Sequence, residues 1–124
     1  GKNISFFVGK QGIEPAPYYD LVNIAVYPEY QQELAMALGD DFDTHISAFQ
    51  LVDFAESCGL PRTLVQTTLT QLCQHVAAQM PIVWAKEAWH TTAEQQFAAD
   101  LQHTIRQQIA RLLEQAGIML DVTL

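Results

Sequence analysis

Asn3 and Asp20 are the two residues of this sequence whose types and spacing best suit a metal site. Residues 4–8 are mostly β-branched or aromatic, and residues 9–12, Gly-Lys-Gln-Gly, tolerate the positive φ of a tight turn, which predicts a β-hairpin. Asn3 precedes the first arm and Asp20 follows the second, so the hairpin should bring them together. Amide and carboxylate oxygens are ligands that Mg²⁺ accepts. The pattern is therefore compatible with a metal site at the base of the hairpin.

The order of these two residues also matches a known arrangement in protein kinases. There an Asn of the catalytic loop and a later Asp hold the magnesium ions that bridge the ATP phosphates. The alternative is structural, because Asn and Asp beside strands are common turn and cap residues. On residue types alone, the structural interpretation is the more frequent one.

The elements predicted up to residue 46, around this pair, are short. Pro15 and Pro17 confine the second arm of the hairpin to an edge or an irregular extended path. Residues 21–27 are apolar, and their secondary structure is ambiguous. Residues 33–46 could form a helix, but Gly39 interrupts the pattern and alternation follows it, which favours a small second hairpin.

From residue 47 onward the sequence is helical. Ser47 with Gln50 forms a capping-box pattern, and Gly59 suits the position just after a helix end. Pro61 favours the start of a second helix, in which Pro81 predicts a kink or break. Trp84, which follows Pro81, is a packing candidate, as is Trp89.

A third helix is predicted to open with Thr92 and Gln95 and to end at Gly117. Apolar residues recur at helical spacing on both long helices: Leu64, Val65, Leu69, Leu72, Cys73, Val76 and Met80 on one, and Phe97, Leu101, Ile105, Ile109, Leu112 and Ala116 on the other. The predicted fold class is mainly α (α+β), an N-terminal β-hairpin followed by a bundle of about three amphipathic helices. We expect residues 1–124 to form a single domain.

Composition limits the function classes. The 124 residues are 49% hydrophobic and 16% charged, which predicts a folded protein. The formal net charge of −8 has the wrong sign for tracking phosphate backbones, so we expect no direct nucleic-acid binding. No window reaches the roughly 18 apolar residues of a membrane helix, and we expect no membrane partner and a cytoplasmic location. Cys58 and Cys73 have no partner pattern and are expected to be free thiols.

The sequence resembles the C-terminal part of HipA-type toxin serine/threonine kinases. Lys-Asn-Ile-Ser-Phe at residues 2–6 resembles the end of that family's Asp-x-His-x-Lys-Asn-x-Ser segment. Pro-Tyr-Tyr-Asp-Leu at residues 17–21 resembles its Pro-x-Tyr-Asp-Leu/Val segment, which takes the place of Asp-Phe-Gly. Leu-Ala-Met-Ala-Leu-Gly at residues 34–39 and the helix ending near residues 59–60 resemble the C-terminal half of the family.

The resemblance implies that Asn3 and Asp20 are magnesium ligands and bind ATP through the metal. It also implies a protein substrate and a DNA-binding antitoxin as partners. The catalytic base, five positions before the Asn in the kinase pattern, would fall before residue 1, as would the nucleotide-binding lysine and the phosphate loop. Because Gly1 leads directly into a strand-like run, we expect the sequence to come from the middle of a larger protein and to have no catalytic residue of its own.

Other polar clusters favour simpler interpretations. Asp40, Asp41 and Asp43 resemble a fragment of a calcium loop, but the distal Glu is missing, which favours a solvated turn. The four histidines lack zinc-like spacing: His45, His75, His90 and His103. Tyr18 and Tyr19 could stack on a nucleotide, although aromatics beside an apolar run are more often core residues.

A rival interpretation is a small acidic helical protein-interaction module without catalysis. Under the kinase interpretation, part of the hairpin would pack against upstream chain in the intact protein. We therefore expect Phe6, Phe7, Tyr18 and Tyr19 to form an exposed apolar patch and to favour a homodimer of the fragment.

Overall fold

Two β-hairpins precede three helices in the computed structural model, which describes residues 3–30 and 33–123. This order confirms the predicted fold class. The elements are β1 (Phe6–Gly9), β2 (Gly12–Pro15), a first 3₁₀ turn (Ile24–Val26), β3 (Glu33–Leu38), β4 (Asp41–Asp43), α1 (Ala48–Ser57), α2 (Arg62–Lys86), α3 (Thr92–Ile118) and a second 3₁₀ turn (Met119–Asp121).

The first hairpin is antiparallel, and its register pairs Phe6 with Pro15 and Gly9 with Gly12. Gly12 has a φ of 122°, a conformation that side chains rarely adopt, which explains the glycine at the end of the turn. All eight strand residues are exposed. Because a two-stranded hairpin is marginally stable by itself, this one depends on contacts beyond its own two strands.

The second hairpin is also confirmed, with Gly39 at its turn. β3 and β4 pair antiparallel with an irregular register: Glu33 lies opposite Asp43 and Leu38 opposite Asp41. The segment between the hairpins, residues 21–27, was ambiguous from sequence and contains the first 3₁₀ turn.

The capping box predicted at the start of α1 is present. Ser47 Oγ accepts from the Gln50 N–H, and the Gln50 side chain accepts from the Ser47 N–H. Gly59, with a φ of 65°, follows the C-cap residue Cys58, and α2 begins just after Pro61. The Arg62 guanidinium then pairs with Glu56 and donates to the Val122 carbonyl at 2.6 Å, which ties both helix ends to the C-terminal segment.

α2 and α3 lie antiparallel against each other. Gln66, near the start of α2, donates to the Ala116 carbonyl near the end of α3 at 3.1 Å. Trp84, near the end of α2, donates to the Ala98 carbonyl near the start of α3 at 3.2 Å. Trp84 and Trp89 also pack with ring centroids 6.2 Å apart, so both are packing residues as predicted.

Two boundary predictions need correction. α2 continues through Pro81 to Lys86, so of the predicted kink or break the break does not occur; beyond the proline, Trp84 bonds to the Ala98 carbonyl of α3. The capping box of α3 uses Thr91 and Glu94, one residue earlier than predicted. The Glu94 carboxylate suits this place better than the Gln95 amide because negative charge is stabilised at a helix N-terminus.

The buried core lies where α1 meets the second 3₁₀ turn. Ala48, Leu51, Val52 and Met119 form its centre, with Val65, Leu69 and others packed around it. The apolar spacing on the long helices predicted more burial than is found: Cys73, Met80, Ala98 and Ala116 are buried, whereas Leu64 and Leu72 are exposed. Within residues 3–30 and 33–123, none of the helices has the length and apolar character needed to span a bilayer.

Candidate functional site

Beyond the paired strands, the residues before β1 and the residues after β2 remain in contact with each other through side-chain and backbone hydrogen bonds. The Ala16 N–H donates to the Ser5 carbonyl at 2.8 Å. One step further down, Ser5 Oγ and the Tyr19 hydroxyl are 3.1 Å apart, within hydrogen-bond distance. These contacts carry the pairing of the strands down to Asn3 and Asp20.

Asn3 and Asp20 meet at the base of the hairpin. Asn3 Nδ2 donates to the Asp20 carbonyl oxygen at 2.9 Å and makes a longer contact of 3.5 Å with Asp20 Oδ2. The predicted proximity of the two side chains is therefore observed. Their role as metal ligands stays a prediction. Lys2, the neighbour of Asn3 in the sequence motif, lies outside the described residues.

The backbone of Asp20 is unusual. Its φ is +52°, and it is the sole non-glycine with positive φ among the described residues. Asp tolerates the left-handed region better than most side chains because its short polar group can bond locally. Such conformations cost free energy and often occur at functional sites, which marks Asp20 as a candidate functional residue.

The donor set at this site fits a magnesium ion that also binds nucleotide phosphates. The Asn3 amide faces Asp20 with its nitrogen, and a half-turn of the amide would present Oδ1 instead. Two protein oxygens would then face the same point. Mg²⁺ typically takes one or two protein ligands and completes its shell with phosphate oxygens and waters. A site of this kind does not need a third carboxylate, and no group of three His, Cys, Asp or Glu suited to a metal occurs in the part of the chain that the structure describes.

Aromatic side chains around the site face solvent. The exposed fractions of Phe6, Phe7, Tyr18 and Tyr19 are 59%, 61%, 68% and 48%. The predicted exposure of these four side chains is therefore confirmed, and neither tyrosine belongs to the core of this chain. We call these four residues the hairpin patch.

A contact just after Asp20 was not anticipated from sequence. Asn23 caps the first 3₁₀ turn by accepting from the Ala25 N–H at 3.1 Å, and its Nδ2 donates to Gln108 Oε1 on α3 at 3.1 Å. An Asn before an apolar run is a recognisable cap signal. Gln108, 85 positions away, carries no such signal.

The remaining polar candidates serve the local structure. Asp41 Oδ1 accepts from the Asp43 N–H at 2.9 Å and Asp43 Oδ1 from the His45 N–H at 2.8 Å, as in a solvated turn. This His45 N–H is the main reason that the pKa of Asp43 lies below its ordinary value. Both cysteines are free, as predicted, and burial raises the pKa of Cys73.

Comparison with known proteins supports the sequence resemblance. A family model described as the HipA-like C-terminal domain matches residues 1–80. The serine/threonine-protein kinase toxin HipA of Shewanella oneidensis is 46% identical over 77 residues, which are 61% of this chain and 18% of that protein. A solved structure of the HipA, HipB and operator DNA complex from Shewanella oneidensis MR-1 matches with a TM-score of 0.86 and 36% identity, over 100% of this chain and 29% of the matched chain.

The chain thus spans less than a third of the length of each of these relatives. The family match covers more than half of the chain and includes both residues of the hairpin base. The sequence motifs, the order of elements and the structural match agree. This chain belongs to the HipA-like C-terminal domain family.

Proposed function

We propose that this chain is the C-terminal lobe of a toxin–antitoxin serine/threonine kinase, in which Asn3 and Asp20 hold the magnesium that binds ATP. The observation that carries the proposal is the meeting of these two side chains at the base of the hairpin, in a chain of the HipA-like family. The left-handed backbone of Asp20 adds support.

In this proposal the lobe positions the metal ion that neutralises charge on the ATP phosphates, and it performs no covalent chemistry itself. Magnesium supplies the positive charge that stabilises the transferring phosphoryl group. Asp20 would contribute a negative oxygen ligand, and Asn3, after the half-turn of its amide, would contribute a neutral one in place of its bond to the Asp20 carbonyl. The acceptor is a serine or threonine hydroxyl of a protein, whose proton passes to a base outside residues 1–124.

The test is Asp20→Asn in the kinase that contains this chain. The substitution keeps the shape of the side chain and removes the charge, so we expect phosphate transfer from labelled ATP to fall on the order of 100-fold or more. Asp100→Asn is a matched control, because this exposed carboxylate on α3 accepts one bond from Gln96 and the amide still can. Transfer by the Asp20→Asn protein at the unmodified rate would refute the metal role.

Residues 1–124 alone should not transfer phosphate, since base, phosphate cradle and nucleotide clamp have no counterpart in them. We expect weak Mg²⁺ binding at most from the purified chain. Transfer from labelled ATP by the chain alone, abolished by Asp20→Ala, would contradict this division of labour.

The structural relative supports the proposal of an antitoxin partner. The matched relative was solved with HipB and operator DNA. We propose that the kinase containing this chain pairs with an antitoxin of that kind and that the antitoxin, rather than this lobe, contacts DNA, because the lobe carries a net charge of −8.

The rival proposal, an interaction module without catalysis, has one observation in its favour. The hairpin patch is exposed and apolar, as a docking surface is. The same exposure suits a lobe that packs against the rest of its own kinase, and the kinase proposal also gives the Asn3 and Asp20 pair a role beyond closing the base of the hairpin. The Asp20→Asn test separates the two.

A further inference from the structure

The structure points to Gln108 as a positioning residue for Asp20. We infer that the hydrogen bond from Asn23 to Gln108 fixes the chain just after Asp20 on α3 and so holds the Asp20 carboxylate in place for metal binding. The inference rests on the proposed function and extends it to α3, beyond residues 1–80 of the family match.

The two residues that follow Asp20 are too exposed to hold it in place by packing. Leu21 and Val22 are 74% and 63% exposed, although both are apolar. Asp20 itself has a left-handed backbone, so free energy would be released if the segment relaxed. A fixed point is therefore needed soon after Asp20.

Asn23 is the first such point. Its side chain makes two hydrogen bonds: Oδ1 accepts from the Ala25 N–H and caps the 3₁₀ turn, and Nδ2 donates to Gln108 on α3. One side chain thus both stabilises the conformation of the segment and fixes its position on α3. Only Leu21 and Val22 separate it from Asp20, which is too short a span for large independent motion.

Two cavities flank this link. One, of about 840 Å³, lies toward the second hairpin, and the other, of about 650 Å³, lies toward the groove between α2 and α3. Both are lined by Val22, Asn23, Gln108 and Leu112. Because both cavities border Asn23 and Gln108, their hydrogen bond crosses between two open spaces and joins the segment to α3 at this point.

α3 is a firm support for the bond. Its N-terminus is closed by a capping box, and it lies along α2 with hydrogen bonds near both ends. A second contact ties the segment to α3 further along, where the Tyr27 and Phe97 rings lie 5.7 Å apart. The tyrosine contact holds the far end of the segment, and Gln108 holds the end near Asp20.

The test uses two substitutions that each preserve a bond and together remove it. In Gln108→Glu, the new carboxylate still accepts from Asn23 Nδ2. In Asn23→Asp, the carboxylate still caps the turn, and Gln108 can rotate its amide to donate. The double variant places two carboxylates face to face with no donor between them.

The measurements are made on the kinase that contains this chain. Mn²⁺ affinity, followed by electron paramagnetic resonance, reports the metal site without reference to activity, and amide hydrogen exchange of residues 21–26 reports the position of the segment. We expect both single variants to resemble the unmodified protein. The double variant should bind Mn²⁺ on the order of fivefold more weakly and exchange faster in residues 21–26.

Gln108→Met, which keeps the length and removes the acceptor, should reproduce the double variant, and Gln107→Met on the same helix should not. Unchanged exchange in α2 would show that the bundle stays folded. If Asp20→Asn weakens Mn²⁺ binding but the double variant and Gln108→Met do not, the positioning role of Gln108 is overturned and the proposed function stands. If Asp20→Asn leaves Mn²⁺ binding unchanged, the proposed metal role itself fails.

Discussion

Glu94 shows how a single side chain secures the long helix that supports the candidate site. Its carboxylate accepts from the His90 N–H at 2.8 Å and from the Thr91 N–H at 2.9 Å, while Thr91 Oγ1 accepts from the Glu94 N–H at 3.1 Å. The Thr91 N–H is the main reason that the pKa of Glu94 lies below its ordinary value, followed by the His90 N–H.

This lowered pKa predicts a pH dependence. A carboxyl whose pKa is lower in the folded protein stabilises it above the ordinary value of 4.5, and the contribution disappears as the pH falls through the lowered value. We expect Glu94→Gln, whose amide oxygen can still accept, to reduce the loss of thermal stability on acidification. Thermal denaturation monitored by circular dichroism between pH 7 and about pH 3 tests this.

Asp43→Asn serves as a comparison in that experiment, because the pKa of Asp43 is also lowered but by a turn contact rather than a helix cap. Both variants should lose less thermal stability on acidification than the unmodified protein, since each removes one carboxyl with a lowered pKa. If Glu94→Gln loses as much thermal stability on acidification as the unmodified protein, the role of the capping carboxylate is contradicted.

At the scale of elements, the turn of the second hairpin depends on a glycine for two separate reasons. Gly39 has a φ of 63°, and a Cβ built there would collide with the Asp53 carboxylate. That carboxylate accepts from the Asp40 N–H at 3.1 Å, so the close approach also joins the hairpin to α1. Gly59 has a similar φ of 65° but open space around it.

A comparison of substitutions at the two glycines therefore separates the cost of backbone strain from the cost of the collision with Asp53. Alanine at either position meets the left-handed penalty of about 1–2 kcal/mol. We expect Gly39→Ala to lose about 1 kcal/mol more of unfolding free energy than Gly59→Ala, because it also displaces Asp53 from its bond with Asp40. Urea denaturation of both variants measures the difference. Equal losses of unfolding free energy would show that moving the Asp53 side chain does not destabilise the protein.

At the scale of the whole molecule, much apolar surface lies outside the small core. The hairpin patch is more than half exposed for three of its four residues, and each strand residue of the first hairpin is exposed. A patch of several hundred Å² is near the largest that monomers usually tolerate. This surface favours self-association of the chain when nothing else covers it.

We therefore expect the purified chain to dimerise through the hairpin patch at high concentration. Phe7→Glu should weaken the association, because it places a charge within the apolar surface, as sedimentation equilibrium would show. Leu64→Glu is the matched control, since Leu64 is 51% exposed but lies on α2 outside the patch. A monomer at high concentration, or equal effects of the two substitutions, would refute this interface.

Local sequence patterns sufficed to predict most elements and the candidate pair. Turn glycines, capping residues and prolines act within a few positions of themselves, so both hairpins, the capping box of α1 and the end of α1 could be predicted. A hairpin also returns its two ends to each other, which is why the meeting of Asn3 and Asp20 followed from a turn between them.

Only the tertiary structure decided which side chains are buried and which contact joins the segment after Asp20 to α3. Helical spacing marks a face as apolar but does not say what covers it, so Leu64 and Leu72 share the spacing of buried Cys73 and are exposed. α2 continues past Pro81, and Trp84 beyond it bonds to the Ala98 carbonyl of another helix, a contact that no local rule predicts. The bond between Asn23 and Gln108 joins positions 85 apart, and a contact of that range depends on how α3 packs rather than on any pattern near either residue.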